Sequence, residues 1–363
     1  MKKYFNYLLL AVFSLAILSS CSKDNKELFP SALTQGAYIV NYGSFEKGGS
    51  SISKYNYETG EITNFYDQQQ NKGIEFASNI QFAYKTGDHV FLIGNSPDQI
   101  IDVDPLFVQA QNGATDQIAK PRNCVANGDY LYISCWGENP DWNLMPDSYI
   151  AKYNIERGIV EEKIALAGGP EGLEIANGKL YAAMNYKNAV AVIDLTTEAI
   201  SYIETPAVCS YFLKDNSGNL YVTLISSYST PATKTGLGFI NTSNNQLTVY
   251  ELENVSTEYA SVLAFSKDKS KIFMVAAGYD ANWTMVGGVQ IFDVTTKTFE
   301  ANSLVSGISG IKGLSVNPVD GNVYVFVSPV TTSNGVMKIY SENGEIIDEK
   351  TVGASPSMAL FLN

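Results

Sequence analysis

Asp129-Tyr130-Leu131-Tyr132-Ile133-Ser134 and Lys179-Leu180-Tyr181-Ala182-Ala183 decide the fold. Each is a short run of β-branched and aromatic residues that follows a tight-turn pair, Asn127-Gly128 or Asn177-Gly178. That combination reads as the second arm of a β-hairpin. Five more segments repeat the pattern: Ala37-Tyr38-Ile39-Val40-Asn41, His89-Val90-Phe91-Leu92-Ile93, Asn219-Leu220-Tyr221-Val222, Lys271-Ile272-Phe273-Met274-Val275 and Asn322-Val323-Tyr324-Val325-Phe326. A following strand accompanies each in step, at residues 52–56, 99–103, 148–154, 189–194, 236–241, 288–293 and 336–340. Seven units result, each of about 47 residues, the size of a four-stranded propeller blade. A solenoid would need capping ends, and no helical periodicity interrupts the series. The chain therefore reads as all-β, a seven-bladed β-propeller.

The two ends predict how the ring closes. The chain enters at what is the second strand of a blade, counted outward from the axis. It finishes on Ser357-Met358-Ala359-Leu360-Phe361-Leu362, which matches the innermost strand elsewhere. Pairing that C-terminal strand beside residues 37–41 closes the ring and hides two open sheet edges.

Composition narrows the function. The 363 residues are 45% hydrophobic and 17% charged, which excludes a disordered, collagen-like or coiled-coil chain. A formal charge of −13 without a basic cluster excludes a nucleic-acid partner, because nothing would replace the counterions of a phosphate backbone. The single histidine, His89, opens a strand on the tight-turn side and reads as structural, which leaves little for imidazole-based metal or acid/base chemistry. Many of the 23 tyrosines recur at blade positions such as Tyr132, Tyr181, Tyr221 and Tyr324, so most are core.

The start of the chain reads as an address. Met1-Lys2-Lys3, an apolar run over residues 7–18 and Leu18-Ser19-Ser20-Cys21 form a signal peptide that looks like a bacterial lipobox, with cleavage before Cys21 and lipid on its thiol. The expected organisation is a signal peptide over 1–20, a lipidated Cys21 and flexible tether over 21–35, and the propeller over 36–363. Cys124, Cys135 and Cys209 then remain, an odd number without metal-ligand spacing. A turn at Asn127-Gly128 sets Cys124 opposite Leu131, too far from Cys135 to pair, and all three read as buried thiols.

Loop lengths separate the two faces of the ring. One carries minimal turns, such as Glu58-Thr59-Gly60, Asn177-Gly178 and Glu342-Asn343-Gly344. The other carries long connections at 42–50, 135–147, 225–235, 277–287 and 328–335. Loops on a rigid scaffold are where binding residues usually sit. All three tryptophans, Trp136, Trp142 and Trp283, fall on this face together with Tyr42, Phe45, Tyr186, Tyr228 and Tyr279. These aromatics either touch a ligand or pin their own loops. The innermost strands begin on the same face, so Arg122, Glu171 and Lys312 ring the channel mouth, as a binding rim or as salt bridges that close it.

Catalytic signatures are sparse. No Gly-rich phosphate loop, paired CxxC or serine-elbow sequence is present. Asp194 and Asp293 close strands next to turns, where they serve the backbone. A calcium-dependent lactonase or hydrolase built on Glu171 and asparagines at the mouth stays open, because it depends on several oxygen ligands converging.

The stretch from Ala37 to Phe45, Ile52-Ser53-Lys54-Tyr55-Asn56, Pro121-Arg122, Cys135-Trp136-Gly137, Gly169-Pro170-Glu171-Gly172-Leu173 and Val190-Ala191-Val192-Ile193-Asp194 resemble the YncE-like, seven-bladed propeller lipoproteins of Bacteroidetes. Within that group the chain is most similar to the BtuG type, surface lipoproteins that capture cobalamin and pass it to a TonB-dependent outer-membrane transporter of the BtuB type. Later blades depart from the pattern, with Cys209-Ser210 and Gly310-Ile311-Lys312 in place of Pro-Glu-Gly and Pro-Arg. The resemblance implies an outer-membrane, cell-surface binding protein and not an enzyme, with cobalamin (vitamin B12) as cargo and no resident cofactor. On that reading Trp136, Trp142, Tyr186, Tyr279 and Trp283 pack against a corrin, with Tyr42, Phe45 and Tyr228 in the same loops. Arg122, Asn139, Asp141, Glu171 and Asn185 bond its amides or nucleotide tail. A glycan- or other nutrient-binding lipoprotein would use the same aromatic face.

Overall fold

Asn177 and Gly178 close a two-residue hairpin in the computed structural model: Ala176 faces Lys179, and both turn residues take positive φ, 49° and 72°. The twist of such a turn matches the strands it joins. The equivalent turn in the preceding blade lies one residue later than its sequence predicts. Asn127 pairs with Tyr130, so Gly128-Asp129 forms the loop, Cys124 stands opposite Ile133 instead of Leu131, and Cys135 stands opposite Pro121. Cys124, Cys135 and Cys209 are all free and buried. Burial pushes the thiols of Cys135 and Cys209 up to about 12, which makes them packing groups.

The structure describes residues 36–44, 48–77, 79–227, 229–232, 234–253, 255–257 and 262–362. Their strands form seven antiparallel sheets, numbered here as blades and given from the axis outward. Blade 1 is Pro356–Leu362, Gly36–Asn41, Ser51–Asn56 and Ile62–Thr63; blade 2 is Asn79–Thr86, His89–Asn95, Gln99–Val103 and Gln109–Ala114. Blade 3 is Pro121–Asn127, Tyr130–Cys135, Tyr149–Asn154 and Ile159–Ala165; blade 4 is Pro170–Ala176, Lys179–Met184, Ala189–Asp194 and Ile200–Glu204. Blade 5 is Val208–Lys214, Leu220–Ile225, Gly236–Asn241 and Gln246–Glu251; blade 7 is Ile311–Val316, Val323–Val327, Asn334–Tyr340 and Ile346–Ala354.

Blade 6 is the irregular one. Its inner strands are Leu263–Phe265, Lys271–Tyr279 and Met285–Asp293, with Thr298–Phe299 and Val305–Ser309 both paired on the third. The two long strands stay in register as far as Tyr279 and Met285, so the connection expected over 277–287 shrinks to residues 280–284. A short helix, Tyr66–Gln70, follows blade 1 without a periodic sequence signal. It delivers the buried Asp67, whose carboxylate accepts the Ile52 N–H at 2.8 Å.

Each innermost strand touches the innermost strand of the next blade all the way round. The ring closes as the termini predict, with Ala37 opposite Phe361 and Ile39 opposite Ala359. What fills the space between blades is one repeated position. An equivalent place on each second strand is aromatic, namely Tyr38, Phe91, Tyr132, Tyr181, Tyr221, Phe273 and Tyr324, and every one is buried. A ring on one sheet face therefore packs against the neighbouring sheet in every blade.

Candidate functional site

Every innermost strand begins on the face that carries the long loops, and in six blades its pairing slips within the first few residues. The slips fall at Gln81, Arg122, Glu171-Gly172, Ser210-Tyr211, Lys312 and Ser357. A bulge leaves its extra residue outside the ladder and re-aims the side chain. The outcome is a polar ring at equivalent positions around the channel mouth, made of Gln81, Arg122, Glu171, Ser210, Lys312 and Ser357.

Three of these residues from successive blades are joined. Arg122 donates from Nε to Glu171 Oε2 at 2.9 Å and from Nη2 to Glu171 Oε1 at 3.0 Å, a fork that satisfies the carboxylate at both oxygens. Its Nη1 donates to Gln81 Oε1 at 2.8 Å. Across the ring, burial pushes the Lys312 ammonium down to about 8. One residue deeper, Phe82 of blade 2 meets Tyr211 of blade 5 edge to face, centroids 6.4 Å apart, and forms the floor of the mouth.

Around the mouth stand the aromatics. The Arg122 guanidinium lies 4.1 Å from the centroid of Trp136, whose ring is edge-on to Trp142 (5.9 Å, 84°) and to Tyr186 (5.4 Å, 89°). Trp136 is only 7% exposed and works as a plinth; Trp142, 57% exposed, is the surface. Tyr279 and Trp283 form a second pair at 5.9 Å, and Trp283 is 70% exposed. That pair belongs to blade 6, three blades from Trp142, so the two groups flank the mouth from opposite sides. A depression of about 410 Å³ lined by Ser256, Gly278, Tyr279, Asp280 and Val286 adjoins the second pair.

The two exposed tryptophans share an unusual backbone. Trp142 has φ 56° and Trp283 φ 59°, a left-handed conformation that bulky residues rarely adopt. An aspartate holds each loop there. Asp141 Oδ1 accepts the N–H groups of Asn143, Leu144 and Met145, which keeps its carboxyl below the usual carboxylate range. Asp280 Oδ1 accepts those of Asn282 and Thr284.

The structure thus brings Arg122, Trp136, Trp142, Glu171 and Tyr186 into one cluster and sets Tyr279 and Trp283 across from it. Asn139 is exposed in the Trp142 loop. Asp141 is engaged as a loop anchor through Oδ1. Asn185 is buried and donates from Nδ2 to the Cys209 carbonyl at 3.3 Å, which ties blade 4 to blade 5. Tyr42 is half-buried, its carbonyl accepting the Ile80 N–H. Phe45, Tyr228 and the lipidation residue Cys21 lie outside the described residues. Gln81 and Ser210 were not singled out by sequence as ligand groups; only their bulge positions, equivalent to Arg122, reveal them. His89 sits among the tight turns, Nδ1 3.0 Å from both Asp102 oxygens and its ring stacked on Phe91. Among the described residues, no three His, Cys, Asp or Glu side chains converge as a metal-ligand set.

Residues 35–361 match the family described as domain of unknown function DUF5074. No curated protein matches the chain in sequence. Among solved structures it is similar to a quinonprotein alcohol dehydrogenase-like protein from Bacteroides thetaiotaomicron, with 16% identity, TM-score 0.67, and 91% of this chain and 79% of that one covered. It is also similar to a periplasmic gluconolactonase from Pseudomonas aeruginosa, with 13% identity, TM-score 0.65, and 91% and 99% covered. The virginiamycin B lyase of Staphylococcus aureus shares 11% identity at TM-score 0.55, with 74% and 82% covered. At these identities the likeness is one of fold.

Proposed function

We propose that this chain, which belongs to the DUF5074 family, is a capture protein of the bacterial cell surface that binds cobalamin or a related corrinoid and passes it to a TonB-dependent outer-membrane transporter. The observation that carries the reading is the matched pair of exposed tryptophans, Trp142 and Trp283, each fixed at positive φ by a neighbouring aspartate. Holding a bulky residue there costs roughly 1–2 kcal/mol, and neither indole returns that as core packing. Such strain persists where the presented surface is used.

The two indoles stand on opposite sides of one mouth, so a ligand touching both must be broad. A corrin, a large partly apolar disc fringed with amides, answers that description, and rigid aromatic rings give contact area at small entropic cost. The groups between them suit recognition better than proton transfer, because both oxygens of Glu171 are committed to Arg122. The lipobox around Cys21 supports attachment to the outer membrane through lipid alone.

Titration calorimetry of the purified chain with cyanocobalamin tests the reading. Saturable heat at micromolar concentration supports it. Heat from oligosaccharides alone moves the assignment to a glycan-binding lipoprotein that stacks sugar rings on the same tryptophans, and metal-dependent turnover of a lactone moves it to an enzyme. Replacing Cys21 by serine, with loss of labelled palmitate from the protein, tests the anchor.

A further inference from the structure

We propose that the mouth of the central channel holds a socket for an uncharged amide group, formed by Asn79 and Gln81 of blade 2 and Ser210 of blade 5. The inference rests on the capture reading only for the presence of a ligand, and it names the group by which that ligand enters the channel.

Both blade 2 side chains are oriented by contacts that use one end of the amide and leave the other over. A guanidinium only donates, so Arg122 Nη1, 2.8 Å from Gln81 Oε1, fixes the Gln81 carbonyl toward it and turns Nε2 elsewhere. A backbone carbonyl only accepts, so the Tyr42 carbonyl takes Asn79 Nδ2 at 3.4 Å and leaves Asn79 Oδ1 over. Among the described residues, Gln81 Nε2, Asn79 Oδ1 and Ser210 Oγ have no hydrogen-bond partner. The residues that carry them are 6%, 0% and 1% exposed. Buried polar atoms without partners are rare, because each gives up its bonds to water and gains none in return.

All three residues stand at the same end of the channel. Asn79 opens the innermost strand of blade 2 on the mouth side, and Gln81 is its bulged residue. Ser210 lies in the corresponding bulge of blade 5. Gln81 and Ser210 immediately precede Phe82 and Tyr211, whose rings meet edge to face at 6.4 Å, so the two residues stand on facing blades beside the floor of the mouth. The unpartnered atoms differ in kind: Nε2 only donates, Oδ1 only accepts, and a hydroxyl does both. An amide offers the matching set, a carbonyl oxygen for the donors and an N–H for the acceptors. A bare anion or a lone carbonyl would leave Asn79 Oδ1 unanswered. Amides fringe a corrin and acetamido groups occur on amino sugars, so either cargo carries the group.

The test is calorimetric titration of the full chain with cyanocobalamin and, separately, with N,N′-diacetylchitobiose and with cellobiose, which has the same linkage without acetamido groups. Cyanocobalamin, or diacetylchitobiose in preference to cellobiose, should bind saturably. Ser210→Ala should weaken that binding several-fold. Gln81→Glu, which keeps an oxygen for Arg122 but replaces the donor by an acceptor, should weaken it at least tenfold. Ser210→Ala should also melt at or above the temperature of the parent, since it deletes an unpartnered hydroxyl. A hydroxyl engaged inside the protein would give the reverse, a lower melting temperature with affinity unchanged, and that result overturns the socket. Should Gln81→Glu not fold, Ser210→Ala decides alone. Cyanocobalamin bound equally well by the parent and by the variants refutes the socket and leaves the corrinoid reading standing. Diacetylchitobiose bound in place of cyanocobalamin, with loss in the variants, does the opposite. Equal binding of the two disaccharides without cyanocobalamin, or binding of none of the three, overturns both.

Discussion

Phe82 and Tyr211 come from blades 2 and 5, and their rings meet at 6.4 Å across the propeller axis. Tyr211 also packs against the core clusters of blades 1 to 3, of blades 5 and 6, and of blades 6 and 7. One side chain therefore joins sheets that share no hydrogen bonds. Tyr211→Ala should lower unfolding free energy by about 3 kcal/mol, in the range of large aromatic truncations. Phe82→Ala should cost a similar amount, and the double variant less than the two together, because they lose one shared contact. Strict additivity in urea denaturation would show that the rings do not support each other.

Ring closure supplies a second test. Pro356–Leu362 is the inner strand of blade 1 and pairs with Gly36–Asn41 along its length. Deleting residues 356–362 would bare the edge of residues 36–41 and remove the contacts that Pro356–Leu362 makes with the inner strands of blades 2 and 7. The truncated protein should show no cooperative melting by circular dichroism. A melting curve like that of the full chain would contradict closure through this strand.

These two features differ in how far the sequence foretold them. Closure was legible, because Ser357-Met358-Ala359-Leu360-Phe361-Leu362 needs a partner edge and residues 37–41 offer one. The aromatic repeated at an equivalent place on each second strand was legible too, since period-two patterning is local. The floor was not. Phe82 follows a bulge and Tyr211 lies within one, and a bulge shifts which face a residue takes without changing composition. The shift of the 127–130 turn by one residue has the same origin: Asn-Gly and Gly-Asp are both good turn pairs, and long-range pairing chooses between them. Among the candidate residues, the exposure of Trp142 and Trp283 was foreseeable from loop length and polarity, whereas the hydrogen bonds of Asp141 and Asn185 to the backbone depend on geometry alone.

The Arg122–Glu171 fork makes a third prediction. Both side chains are mostly shielded from solvent, so removing one leaves the other's charge stranded. Arg122→Ala should cost about 3–5 kcal/mol. Arg122→Lys keeps charge but loses the fork and the flat contact with Trp136, and should retain only part of the stability. The pair replaced together, Arg122→Met with Glu171→Gln, should be more stable than Arg122→Ala alone. Equal losses in all three, by urea midpoint, would show that the fork carries no coupling.

Lys312 makes stability depend on pH in a defined sense. Burial lowers its folded value to about 8, against an ordinary value near 10.4 in the unfolded chain. Between those values the unfolded state binds the extra proton, so the lysine's contribution makes stability rise as pH increases through that window. The full effect is up to about 3 kcal/mol. Lys312→Met should be more stable than the parent at pH 7, with the difference shrinking by pH 10 as the parent sheds its charge. The measurement is the difference between the two urea midpoints at each pH, which cancels the titration of other groups; a constant difference would mean that Lys312 is not desolvated.

Trp142 and Trp283 separate presentation from structure. Glycine accepts positive φ without penalty, so Trp142→Gly and Trp283→Gly relieve the backbone strain while removing exposed rings. For Trp283, which is 70% exposed, the melting temperature should hold or rise. For Trp142, which also loses its edge contact with Trp136, it should change little. Cyanocobalamin affinity should nevertheless fall tenfold or more in each, the pattern of a site that trades stability for a rigid binding surface. If instead both variants melt early and bind as before, the tryptophans are loop pins. If they bind as before and melt as before, the face is a scaffold, and capture has to be sought elsewhere on the ring.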